Sequence, residues 1–145
     1  MVTLLMKKLY KAVLEEHLTT VGQDLRKISE TSDVTFQQTL TAMARYLIDS
    51  HLVDLFMMLH DLKQNISSET RNHLFALWKQ NYREPFEVIF SKNREALREN
   101  VTQEIAARHF FLILSPYITQ AGNSVEKSMT VEQLIDLYLH GVISE

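Results

Sequence analysis

A chain of 145 residues, 46% hydrophobic and 23% charged, has the size and composition of one soluble globular domain. It contains no cysteine, which excludes a disulfide framework, thiolate catalysis and cysteine-ligated zinc, and suits a reducing cytosol. A net charge of −3 disfavours binding of a phosphate backbone by the chain as a whole, and with only 3 Gly and 2 Pro the chain favours long helices over turns.

The first apolar series is Leu9, Tyr10, Val13, Leu14, Leu18, Val21, Leu25 and Ile28. Steps of three and four trace one helical face, predicting a helix from about Thr3 to Ser29, ~40 Å long. Gly22 weakens that helix by ~1 kcal/mol relative to alanine without ending it. Thr31-Ser32-Asp33 is a break with capping residues.

Phe36, Leu40, Met43 and Leu47 begin a second series, continued by Leu52, Leu55, Phe56 and Leu59. Its phase slips near Asp49-Ser50-His51, so the spacing predicts a bend or two short helices. Ser67 or Ser68 can cap a third segment carrying Leu74, Leu77 and Trp78. Pro85 lacks an N–H and suits the first turn of a fresh helix bearing Phe86, Ile89, Phe90 and Leu97.

The fifth segment, capped by Thr102, is apolar around its whole circumference: Ile105, Ala106, Ala107, Phe110, Phe111, Leu112, Ile113, Leu114. Such a helix needs cover on all sides, which in one small domain implies a core on one side and a second subunit on the other. Pro116 predicts a kink or restart. After a Gly122-Asn123-Ser124 loop, Thr130 and Gln133 form a capping box, with Met129 and Leu134 placed as a hydrophobic staple. Gly141 can supply a left-handed C-cap, and His140 lies where a cation complements the helix dipole. No segment alternates with period two. The expectation is one all-α domain over residues 1–145, with five to seven helices.

Enzyme motifs are missing. Glycine occurs only at 22, 122 and 141, so no phosphate loop or serine nucleophile elbow can form. There is no His-Glu-x-x-His motif and no Glu-x-x-His pair. The chain is therefore read as not an enzyme, with no cofactor. His51, Asp54, His60 and Asp61 come nearest to a metal set, but His60 points away from His51 on a straight helix and no full ligand set is visible. They read as polar edges of an amphipathic helix, and no metal is assigned.

Met43, Tyr46, Phe56, Met57, Phe75, Trp78, Phe86 and Phe90 are core residues on one reading and walls of an adaptable pocket on another. His109 is likewise either a hydrogen-bonded core or interface histidine or a polar fixing point in a ligand cavity. Lys7, Lys8, Lys11, Arg26 and Lys27 give the first helix a basic tilt that reads as a solvated face. No run approaches the ~18 apolar residues of a membrane span, and the apolar start is too short for a signal peptide.

Residues 7–18 read Lys-Lys-Leu-Tyr-Lys-Ala-Val-Leu-Glu-Glu-His-Leu, and residues 130–143 read Thr-Val-Glu-Gln-Leu-Ile-Asp-Leu-Tyr-Leu-His-Gly-Val-Ile. Together they resemble the two ends of the ligand-binding domain of the tetracycline-repressor (TetR) family of bacterial transcription regulators. Residues 34–100 carry no motif of that family. The resemblance implies a cytoplasmic homodimer whose last two long helices, about Thr102–Gln120 and Val131–His140, form a four-helix bundle. Expected interface residues are Ile105, Arg108, Leu112, Ile135, Tyr138 and Leu139. It also implies a small apolar or amphipathic effector among the central helices. Tyr46, Phe56, His60, Trp78, Phe90, His109 and Phe110 are expected to line its cavity, because they lie on the apolar faces of those segments. Residues 7–28 are then a lever to a DNA-reading head. Only Met1–Met6 precede the first pattern, so the helix-turn-helix is expected outside this chain, which by itself is expected not to bind DNA specifically. The alternatives are a helical adaptor without ligand and an enzyme with an unrecognised site around His51 and Asp54.

Overall fold

A computed structural model describes residues 4–50, 67–119 and 130–143. Among the described residues it has six α-helices and no strand: α1 (Leu4–Ser29), α2 (Phe36–Asp49), α3 (Ser68–Trp78), α4 (Glu84–Lys92), α5 (Gln103–Thr119) and α6 (Val131–Val142). The chain is all-α, as its periodicity predicts. Phe56, His60 and the His51/Asp54/Asp61 group lie outside the described residues, as do Met129 and the Gly122 loop.

The helix starts follow side-chain chemistry. Thr35, rather than the Thr31-Ser32-Asp33 break, caps α2: its hydroxyl accepts from Gln38 N at 3.1 Å, and its own N–H donates to Gln38 Oε1 at 2.9 Å. Asp33 turns the chain into that cap with φ 64°, a left-handed conformation that aspartate tolerates. Ser67 caps α3 by accepting from Thr70 N, Thr102 accepts from Ile105 N, and the Thr130–Gln133 capping box forms at α6.

Two ends depart from expectation. Gly141 does not cap α6. The helix runs on through it to Val142, and Ile143 becomes extended. The reason is tertiary: Arg98 N donates to Val142 O at 2.9 Å and Ile143 bridges Leu97, so the chain end is held by the α4–α5 connection rather than by its own left-handed turn. Pro116 does not restart a helix either, since α5 continues to Thr119.

Helices α3 and α4 are joined without a loop. Between them Lys79–Arg83 forms one π-helical turn, in which Glu84 N–H donates to Lys79 O, five residues back. Pro85 is the second residue of α4, so the expected fresh start is this widened turn. Proline brings no N–H and its ring crowds the carbonyl four residues earlier, that of Asn81, which lies within the turn.

Helix α2 lies at the centre, packed on α1, α5 and α6, while α1 also packs on α3, α4 and the π turn, and α4 packs on α5. The core is built from Leu14, Leu18, Leu25, Leu40, Met43 and Leu47 with Phe86, Phe90, Phe110, Leu114 and Ile135. On α1 the apolar series is only partly used: Leu14, Leu18, Val21 and Leu25 are buried and Ile28 is half-buried, whereas Leu9 and Val13 are exposed. Tyr138 ties α6 to α5 by donating its hydroxyl to Ala106 O from a buried position.

Candidate functional site

Helix α1, helix α2 and the π turn bring a small set of polar groups near one another. The π turn makes the closest approach. Asn81 is buried against Gly22 of α1, where an added Cβ would stand only 2.0 Å from Asn81 Oδ1. Gly22 is therefore the notch that admits the turn. Asn81 Nδ2 is held within its own segment by donating to Leu77 O at 2.9 Å, while α1 holds the turn through Arg26 Nη2, which donates to Gln80 O at 2.8 Å.

Next to Asn81, Tyr82 is only 1% exposed and its hydroxyl has no hydrogen-bond partner. Burial pushes this hydroxyl well above its ordinary range, and the neighbouring Tyr46 adds to the rise. Tyr46, half-buried on α2, donates to Asp24 Oδ2 at 2.6 Å. Its pKa is raised too, first by burial, then by that hydrogen bond and by the carboxylate's charge. His17, two turns before Asp24 on α1, has a buried Nε2 without a partner, and burial lowers its pKa.

Beside this cluster runs a continuous aromatic array. Trp78 stacks on Tyr82 at 6.3 Å and on Phe75 at 5.9 Å, and contacts Phe111 at 6.0 Å. From Phe111 the chain of rings continues through Phe86 and Phe110 to Phe90, with centroid steps of 5.0, 5.3 and 6.2 Å. Three of the expected cavity residues, Trp78, Phe90 and Phe110, thus belong to one array. Tyr46 lies by α1, at the polar cluster. His109 does not join them. It is exposed on α5 with its ring against Tyr138 at 5.8 Å, so it is no polar fixing point among the buried rings.

The expected interface set also divides. Ile105, Arg108 and Leu112 share one exposed stripe of α5, with Ile105 53% and Leu112 68% accessible. Ile135 is 0% exposed, and Tyr138 and Leu139 are buried as well. These three face the chain's own core and cannot be contacts. The outward face of α6 carries Gln133, Leu137 and His140 instead. The misassignment has a simple cause: an amphipathic helix has one apolar stripe, and on α6 the intramolecular core uses it.

An open surface groove of about 420 Å³ lies between α2 and the start of α6. It is lined by Thr35, Gln37, Gln38, Thr41, Ala42, Arg45 and Glu132, with Arg45 and Glu132 ion-paired across it. None of the expected cavity residues borders it. Among the described residues no three His, Asp or Glu side chains are grouped to hold a metal ion.

Tyr82 and Asn81 were missed by the sequence reading, although a signal exists. Leu74, Trp78, Tyr82, Phe86 and Phe90 recur at steps of four. On an ideal α-helix that stripe drifts ~40° per step. One π turn inserts an extra residue and brings Phe86 and Phe90 back into phase.

No protein-family model, curated protein or solved structure matches the chain. No helix among the described residues is long and apolar enough to cross a membrane.

Proposed function

We propose that this chain is the effector-sensing and dimerising part of a transcription regulator resembling the TetR family, with operator contacts made by a helix-turn-helix outside these 145 residues. The observation that supports it best is the exposed stripe Ile105–Arg108–Leu112 on α5. The opposite face of the same helix carries Ala106, Ala107, Phe110 and Leu114, all buried. A helix that is apolar on both sides, with one side open, is suited to a partner subunit. The aromatic array and the polar cluster beside it supply the two kinds of surface an amphipathic effector needs.

In a four-helix dimer the stripe of one protomer packs on its copy, and Arg108 lies towards the rim. Such an interface buries more than about 1,000 Å² in total. Sedimentation at micromolar concentration tests the reading: the parent chain sediments as a dimer and Leu112→Glu as a folded monomer. A parent chain that is monomeric throughout refutes dimerisation.

A second reading is a helical adaptor that binds no small molecule. It is favoured by the complete burial of Phe86, Phe90 and Phe110, whose rings interlock as in an ordinary core.

A further inference from the structure

Among the described residues, Tyr82 and His17 each keep a buried polar atom without a partner, and of the two Tyr82 is the one that belongs to the core. The π turn carries it to full burial, yet its hydroxyl meets no acceptor or donor in the protein. Buried hydroxyls are normally paired, and an unpaired one in a folded protein calls for an occupant. π turns also recur where a helix is adapted to a function.

We propose that Tyr82 Oη and the Tyr46–Asp24 pair form the polar end of the effector site, and that they select a neutral hydroxylated aromatic molecule. This deepens the sensing function proposed above and rests on it.

The selectivity follows from counting protons. Tyr46 spends its single hydrogen on Asp24, so its oxygen retains only acceptor capacity. Tyr82 keeps its hydrogen free. A ligand hydroxyl fits both, accepting from Tyr82 and donating to Tyr46. A carboxylate or phenolate has no hydrogen for Tyr46 and is opposed by the charge of Asp24. A methyl or hydrogen in the same place leaves Tyr82 unpaired, which is how a buried polar group rejects an apolar analogue. The body of the ligand is set by Trp78 and Phe111, both half-buried, with Trp78 lying within 27° of parallel to the Tyr82 ring. These surfaces favour an aromatic or flat apolar group.

The test uses two probes of one shape, 4-propylphenol and 4-propyltoluene, titrated calorimetrically into the full chain and into Tyr82→Phe. Tyr82→Phe keeps the ring and removes only the hydroxyl, so the fold survives, as circular dichroism verifies. The parent chain is expected to bind the phenol about fivefold more tightly than the toluene, the value of one neutral hydrogen bond. Tyr82→Phe is expected to erase that preference while keeping affinity for 4-propyltoluene. Equal binding of both probes by the parent chain overturns the inference and leaves sensing intact, the Tyr82 hydroxyl then being satisfied by an ordered water only. A preference that persists in Tyr82→Phe overturns it as well. If neither probe binds the parent chain, the inference is overturned, and a parent chain that also sediments as a monomer overturns the proposed function with it.

Discussion

Replacing Gly22 by alanine is the sharpest probe of how α1 meets the π turn. In an isolated helix the change stabilises by ~1 kcal/mol, because alanine restricts the unfolded chain and glycine does not. In this protein the new Cβ would stand 2.0 Å from Asn81 Oδ1 and 2.7 Å from both Asn81 Cβ and Cγ. Asn81 cannot simply swing aside. It is buried, and its Nδ2 is held to Leu77 O at 2.9 Å. Overpacking of this kind costs ~1–3 kcal/mol, and giving up the hydrogen bond costs ~1 kcal/mol more. Set against the propensity gain, the net effect is a loss of ~1–3 kcal/mol, or a fall in Tm of roughly 3–10 °C for a chain of this size.

Thermal and urea unfolding followed by far-ultraviolet circular dichroism measure it. The double-mutant cycle is diagnostic. Asn81→Ala removes Oδ1 and Cγ but leaves Cβ in the way, so the penalty shrinks without vanishing. Asn81→Gly removes all three atoms, and in that background Gly22→Ala should stabilise by the full ~1 kcal/mol. A rise in Tm for Gly22→Ala in the parent background would refute the close approach, and with it the geometry that buries Tyr82.

Ile135→Ala is expected to cost ~2–5 kcal/mol by urea unfolding whatever the protein concentration, as a core truncation does; an effect confined to dimer dissociation would return Ile135 to the interface. Trp78→Ala is expected to cost less than the ~3–5 kcal/mol of a filled-core aromatic, because Trp78 is only half-buried, and to weaken effector binding; a full-cost loss with binding unchanged favours the adaptor. Tyr82→Phe, without ligand, is expected to stabilise the chain by up to ~1–3 kcal/mol, since it removes a buried hydroxyl that has no partner. A Tm below the parent's would show that the hydroxyl is paired in solution.

Helical periodicity along the chain determined the all-α class, and local side-chain chemistry determined the starts of α3, α5 and α6. Ser67, Thr102 and Thr130 each cap a helix through atoms within three residues, so no distant contact is needed to foresee them. The fifth segment's apolar residues on several faces were legible in its composition, and the structure leaves Ile105 and Leu112 of that segment exposed. Tertiary structure decided everything that depended on which face meets which. Ile135, Tyr138 and Leu139 are as apolar as interface residues, but only the docking of α6 on α2 shows that they are spent on the core. Gly141 has the composition of a C-cap, yet the backbone bond from Arg98 to Val142 extends the helix past it. The role of Gly22 needs a partner 59 positions away, Asn81, whose approach no local pattern encodes. Local interactions are written within a few residues of the chain, whereas the choice between two apolar faces, or the need for a notch, is a property of the packed whole.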